Sequence, residues 1–301
     1  MQMKKWLKSE NASMTVYVVV AIFSFMIILT SVFLAASAVR KNQLQTIPKI
    51  KEAYEKNLSN IQEIYDEREE QEGYIKDGLI LHLDAINNTG SGHSNTTTTW
   101  KDLSGNGNDG TLYNIENSST SGWQEDGLRL DGIDDYVSLD PAKLTNLQQG
   151  TVIVDFELYD WNPDQQYDTI FFKGNETNWV YNHIQISETL YSASNINTTI
   201  SNNTQSTTAS LLIPVSLNTY KQVALRWDGN QISNLDNGVL NQSITSALYP
   251  ADDSTVCYLG RGYNEERYCN CKIKSLKIYN RALTDEEIAH NYRIDKTKYA
   301  N

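Results

Sequence analysis

Positive charge is scarce in this 301-residue chain: 25 Lys and Arg stand against 37 Asp and Glu, for a net charge of -12. Nucleic-acid phosphates demand clustered Lys and Arg, so the composition excludes that class of partner. Cysteine is scarcer still. Cys257, Cys269 and Cys271 are too few for a disulfide framework, and no Cys-x-x-Cys pair or histidine cluster offers a zinc site. Two readings of them stay open: one bridge from Cys257 to Cys269 or Cys271 with a thiol spare, or small apolar fillers of adjacent strands. The four histidines, His82, His93, His183 and His290, are scattered, with no Ser/His/Asp grouping around them. Helical periodicity is missing between Gly78 and Leu283.

Charge is wholly absent from Thr15 to Val39, and this is the one long apolar run, with Lys4, Lys5 and Lys8 before it and Arg40 and Lys41 after. About 20 apolar residues cross a bilayer as a helix. The run therefore predicts a transmembrane helix over 15–39 behind a short basic segment, 1–14. Ala36-Ser37-Ala38 has the form of a signal-peptidase site, but the apolar stretch is longer than the roughly 7–15 residues of a signal core, which favours a retained anchor. Ile47, Ile50, Tyr54, Leu58, Ile61, Ile64 and Tyr65 then recur at helical spacing, with Pro48 giving a kink. These residues predict a helical stalk and linker over 40–77, packing on a partner or associating with itself through a short heptad seam that Asn57 interrupts.

From Gly78 the period changes to two. Leu79, Leu81 and Leu83 alternate with other residues as in a strand with one buried face. Short β-like runs follow at 128–130, 136–139, 151–158, 169–172, 180–186, 222–227, 256–259 and 273–279, separated by Gly/Asn/Asp turns at 104–110, 131–132, 228–230 and 237–238. Many short strands between such turns indicate an antiparallel sandwich over 78–301. The Ser/Asn/Thr stretch Ser194–Ser210 reads as a long loop. One helix closes the chain: Thr284 and Glu287 form a capping box, and Ile288 and Tyr292 share a face.

Four segments reach beyond generic pattern: GLILHLDA at Gly78–Ala85, TTWKDLSGNGNDGTLYN at Thr98–Asn114, GLRLDGIDDYVSL at Gly127–Leu139 and LKIYNRALTDEEIAHNY at Leu276–Tyr292. Their order resembles the laminin-G-like branch of the concanavalin A-like lectin/glucanase superfamily, found on bacterial and phage surface proteins, over about Gly78 to Asp295. The resemblance implies a mainly β, two-sheet antiparallel jelly-roll, and a binding role more often than a catalytic one. Where the family usually shows F-x-G-x-I before its last strand, this chain has Cys269, Cys271 and Ile273. The N-terminal part is similar in architecture to pilin-type proteins of Gram-positive bacteria, without the glutamate of a mature type IV pilin.

Glucanases of that superfamily carry Glu-x-Asp-x-x-Glu, which places paired carboxylates in one cleft. Here the nearest counterpart is Asp155-Phe-Glu157-Leu-Tyr-Asp160, read as solvated carboxylates on a polar strand face, and no enzymatic activity is expected. Calcium is the one cofactor considered, with Asp102, Asn106, Asn108 and Asp109 in a Gly-rich loop as ligands and Asp134 and Asp135 as a second acidic cluster. Turn formation explains the same residues without an ion. Sugars stack on aromatic rings and pair with polar groups, which singles out Trp161, Trp179, Tyr181, Tyr191, Arg261 and Tyr263; Trp100, Trp123 and Trp227 read as core. The expectation is a single-pass cell-membrane protein whose extracellular domain recognises a glycan or a surface protein, as in adhesion. A subunit of a pilus-like filament is the alternative, and a glycan hydrolase a third reading.

Overall fold

A computed structural model describes residues 14–38, 49–60, 73–145, 147–161, 168–176, 183–188, 194–202, 207–250, 253–264 and 267–300. The chain divides into two units, Met1–Gly73 and Tyr74–Asn301. In the first, the apolar run forms helix α1 (Met14–Ala38). Its side chains are described over 19–31, where Thr30 and Ser31 return their hydroxyls to the carbonyls of Met26 and Ile27 (2.6 and 2.7 Å). Among the described residues no helix is long and apolar enough to cross a membrane, so the expected span over 15–39 is not established by them. Residues 49–60 form a second helix, α2, on which Tyr54 and Leu58 are exposed.

The second unit is built from short strands because its apolar residues alternate and its turns are rich in Asn, Asp and Gly. The strands are β1 (Leu79–Asp84), β2 (Thr99–Trp100), β3 (Gly110–Tyr113), β4 (Gly122–Gln124), β5 (Gly127–Asp131) and β6 (Tyr136–Leu139). There follow β7 (Gly150–Leu158), β8 (Thr169–Gly174), β9 (His183–Glu188), β10 (Asn195–Asn202) and β11 (Thr207–Pro214). The last are β12 (Tyr220–Trp227), β13 (Gln231–Asp236), β14 (Val239–Thr245), β15 (Val256–Leu259) and β16 (Asn270–Tyr279), before helix α3 (Asp285–Tyr299). One sheet has the order β14-β13-β12-β7-β16-β5-β4 with β1 also on β16; the other runs β11-β10-β9-β8-β15-β6-β3-β2. The result is the mainly β, two-sheet antiparallel sandwich that the alternation predicts.

Between the sheets lie Leu81, Leu83, Trp100, Phe156, Phe171 and Trp227, all fully buried, with Trp123 packed edge-on against Trp100 at 4.9 Å. The three cysteines belong to this core and none is bridged, which closes the disulfide reading and keeps the filler one. Cys271 is a strand position of β16 paired with Leu130 and Leu158, so no turn glycine is needed there. The Ser194–Ser210 loop is corrected. β10 and β11 occupy most of it, because Ile196, Thr198 and Ile200 alternate inward and the Thr198 hydroxyl donates to the Leu211 carbonyl at 3.0 Å. A β-branched threonine whose hydroxyl is bonded within the sheet behaves as a strand residue despite its polarity.

Candidate ligand-binding face

The two faces turned away from the core differ in what covers them. α3 caps the first sheet. Its N-cap is Thr284, which accepts from the Glu287 amide while Glu287 bonds back, as the capping box predicts, and Ile288 packs on Ile153, Ala224 and Leu235. A β-bulge between Ile273 and Ser275 in β16 sets the register that brings Lys277 beneath the helix. There its ammonium lies 2.8 Å from both carboxylate oxygens of Asp295 and 3.6 Å from Asp155. Asp155 also accepts from Tyr220 (2.7 Å), Gln222 (2.9 Å) and Ser275 (2.6 Å).

Of the glucanase-like carboxylates, Asp160 is exposed as expected, Glu157 is half-buried and Asp155 is not solvated. Asp155 is fully buried, and Glu157 pairs with Lys274 at 2.9 Å and Lys272 at 3.3 Å. Burial disfavours the ionised form of Glu157, yet the bonds from Lys274 and Tyr159 hold its carboxyl below the usual range. With Lys277 and Asp295 fully buried as well, this face is occupied by the protein's own ion pairs.

Within this unit α3 does not cover the second sheet. Strand register sets Thr111, Ser138, Tyr258, Phe172, Gln185 and Thr199 in one row across β3, β6, β15, β8, β9 and β10. Their sequence neighbours Leu112, Val137, Leu139, Cys257 and Leu259 point into the core, so the row turns away from it, although Phe172, Gln185, Thr199 and Tyr258 are themselves buried. Around it Tyr113 stacks on Tyr136 (4.8 Å, 6° between planes), and Tyr136 meets Tyr258 edge-on at 5.3 Å. Tyr113 is 44% exposed.

Arg261 sits among these rings. Its guanidinium carbon is 4.8 Å from the Tyr258 ring centre, 5.0 Å from Tyr136 and 5.9 Å from Tyr268. Glu176 approaches it at 3.8 Å and accepts from the Tyr258 hydroxyl at 3.0 Å, while Arg261 Nε is buried without a hydrogen-bond partner. Burial and the bond to Glu176 both push the Tyr258 phenol upward, so it stays a neutral donor. Tyr263 packs at the same place, 6.3 Å from Phe172 and under the Arg267 guanidinium at 4.3 Å. The exposed ring of the assembly is Tyr113, with Tyr136, Arg261 and Glu176 half-buried beside it and Tyr258 and Tyr268 buried beneath. That combination can stack a ring-shaped ligand and bond its polar edge.

Of the sequence-derived candidates, Arg261 and Tyr263 share this face. Trp161 does not. It lines a separate cleft of about 520 Å³ with Ser194, Pro214, Leu217, Tyr220 and Asn237. Trp179, Tyr181 and Tyr191 lie outside the described residues. Tyr113, Tyr136, Phe172 and Tyr258 escaped the sequence reading, although their parity with core-facing neighbours marks each as an outward aromatic.

The Gly-rich loop is self-satisfied. Asp102 accepts from the amides of His82, Ser104 and Asn108 and from the Ser104 hydroxyl; Asp109 accepts from the Asp102 amide and Lys101. Asn106 and Asn108 donate to the carbonyl of Ile80. At the turn between β5 and β6, by contrast, one carboxylate oxygen each of Asp131, Asp134 and Asp135 lies within 4.8 Å of the others. Burial pushes the Asp135 carboxyl up to about 6, against the Ser121 hydroxyl and the Asp131 amide that bond to it.

Comparison with curated proteins gives no match. Among solved structures, Trypanosoma rangeli sialidase in complex with sialic acid is similar in fold at 17% identity and a TM-score of 0.51, covering 74% of this chain and 34% of that one. The receptor binding domain of botulinum neurotoxin mosaic serotype C/D gives 15% and 0.53 over 72% of this chain and 51% of that one. The binding domain of botulinum neurotoxin serotype D gives 15% and 0.51, over 72% and 52%. The chain thus spans about a third to a half of the structures it matches. At these identities the likeness is one of fold. It nonetheless corrects the expectation that enzymatic activity is absent, since the fold is shared with a sialidase. Residues 131–289, just over half the chain, match the family model, and the protein belongs to the concanavalin A-like lectin/glucanases superfamily.

Proposed function

We propose that this chain is a carbohydrate-recognition protein displayed at a cell surface, its ligand meeting the outward face of the second sheet around Arg261. The observation that carries the reading is half-buried Arg261 held over Tyr258 and Tyr136 at 4.8 and 5.0 Å beside exposed Tyr113, on the face that α3 leaves uncovered. Sugar C–H faces stack on tyrosine rings, while sugar hydroxyls or carboxylates pair with a guanidinium fork. The toxin binding domains and the sialidase that share the fold are in keeping with a ligand on a cell surface.

Presentation would come from α1. The exposed Phe23, Phe25, Met26 and Ile27 leave this helix apolar around its circumference, a pattern that suits lipid rather than water. On such a tether the lectin-like character of the domain suits the extracellular side, in a role such as adhesion. Exposed Tyr54 and Leu58 on α2 suit self-association of the stalk, which is the basis of the filament reading.

The test is a glycan array of the full chain in detergent, followed by titration of the strongest hit. Arg261→Ala and Tyr113→Ala are each expected to weaken binding at least about tenfold, or 1.4 kcal/mol, in a folded protein. Equal affinity in both variants, or a folded chain that binds no glycan, would refute the reading. Release of the chain from membranes by salt alone would refute the tether.

A further inference from the structure

At one end of the sandwich, where β7 and β11 finish and β10 and β12 begin, lies the cleft of about 520 Å³ beside Trp161. Its walls are tied to both sheets. The Asn218 amide donates to the Leu158 carbonyl at 2.7 Å and the Val215 amide to that of Ser194 at 2.9 Å, so the β11–β12 loop is fastened to β7 and to β10. Val215 is buried, while Leu217 and Trp161 pack against the core and stay half-buried, with part of each lining the cleft. A cavity whose walls are fixed in this way is formed before any ligand arrives, and its volume falls within the roughly 300–1,000 Å³ of small-molecule sites.

Two polar side chains of the cleft are only partly used by the fold. Lys221 has the parity of Val223 and Leu225, which face the core, so an ammonium stands where the strand pattern calls for an apolar group. Asp236 meets it at 2.6 Å, which neutralises the charge and accounts for one of its three N–H groups. Asn237 Oδ1 accepts from the Gln222 amide at 2.9 Å, so the end of that side chain left to bond a ligand is its NH2, a donor. An ion is a poor occupant, because Asp236 cancels the Lys221 charge and the net charge of -12 repels anions at a distance. A purely apolar occupant would strip water from Lys221 and Asn237 without replacing it. What fits is a neutral ring with apolar C–H faces and several hydroxyl oxygens.

We propose that this cleft is a second carbohydrate site, which takes one neutral sugar residue with its C–H face stacked on Trp161 and its hydroxyls accepting from Lys221 and Asn237. The inference rests on the reading of the domain as carbohydrate-binding, but the cleft shares no residue with the assembly around Arg261. Two sites at different places on one sandwich would let a single domain hold two residues of a branched glycan, or two chains at once.

The experiment is saturation-transfer NMR of the full chain, in a detergent free of sugar, with the methyl glycosides of glucose, galactose, mannose and N-acetylglucosamine. At least one is expected to bind with a Kd on the order of 1 mM, as suits so small a ligand. Trp161→Ala should weaken that binding at least tenfold. Ser216→Leu should do the same, since it crowds the cleft from an exposed position and removes no packed side chain. Arg261→Ala should leave it unchanged. A folded chain that binds none of the four glycosides would overturn the proposal, as would binding that Ser216→Leu leaves intact or that Arg261→Ala removes. The two readings fail separately: loss on Arg261→Ala ends the second site and leaves the first, whereas a glycoside held in the cleft by a chain whose array hit ignores Arg261→Ala and Tyr113→Ala ends only the first.

Discussion

Replacing Lys277 by methionine removes the one ammonium that two buried carboxylates share. Lys277, Asp155 and Asp295 are all fully buried, so water does not take the place of the lost cation. Methionine fills most of the lysine volume, which keeps the packing cost small and isolates the charge effect. Removing one partner of a buried pair costs about 3–5 kcal/mol, because the other charge stays behind desolvated. For a unit of this size each kcal/mol lowers Tm by roughly 2–4 °C, so the expected fall is about 6–20 °C at neutral pH.

The pH dependence provides the sharper test. Burial, reinforced by neighbouring Asp155, already pushes the Asp295 carboxyl up to about 7, while the two carboxylates keep Lys277 above its usual value despite burial. Without the ammonium the Asp295 carboxyl rises further. Its folded-state value then lies still further above the unfolded one, so the deficit is largest above neutrality and shrinks as acid protonates it. Urea unfolding at pH 5 and pH 8 checks this, with Lys277→Met/Asp295→Asn expected to regain about half or more of the loss. A loss below about 1 kcal/mol at pH 8 would refute the ion-pair account of this face, as would a deficit that grows toward acid.

Asp168 titrates in the same sense for a simpler reason. Burial first, then the nearby Asp160 charge, pushes it up to about 7 against the pull of Arg267, and its Oδ1 has no hydrogen-bond partner. A raised acid binds its proton more tightly when folded, so wild-type stability falls between about pH 4 and pH 7 by up to about 4 kcal/mol. Asp168→Asn should therefore be the more stable protein at pH 8 and match wild type near pH 4, which urea unfolding at the two pH values measures. A variant no more stable at pH 8 would refute it. The three cysteines make a chemical prediction: burial pushes Cys257 up to about 12 and Cys269 well above the usual thiol range. A thiol reagent should modify none of the three in the folded chain and all three in denaturant; fast reaction of any one in the native state would refute their place in the core.

What the sequence disclosed and what it withheld follow from the range of the forces involved. Local signals read well. The Thr284–Glu287 capping box is the N-terminus of α3, and Asn237-Gly238, at φ 49° and 75°, is the hairpin turn between β13 and β14. Alternation places β6 at Tyr136–Leu139, as expected for a strand with one buried face. It failed at β10 because threonine counts as polar in a hydropathy pattern, although Thr198 lies fully buried. The larger misreading, of Asp155 and Glu157 as solvated, was not local at all. Strand parity correctly puts them on the face opposite Val154 and Phe156, but parity says only that a residue points away from one core, not that water lies beyond it. Asp295, supplied by a helix 140 positions later in the chain, decides that. The same limit applies in reverse to the second sheet. Tyr136 and Tyr258 were legible as outward-facing, yet Arg261 comes between them only through the turn after β15. An outward charge on a sandwich strand thus acquires its meaning from whichever element covers that face. Here one sheet has its charges neutralised beneath α3, while the other keeps a cation and aromatic rings that α3 does not reach.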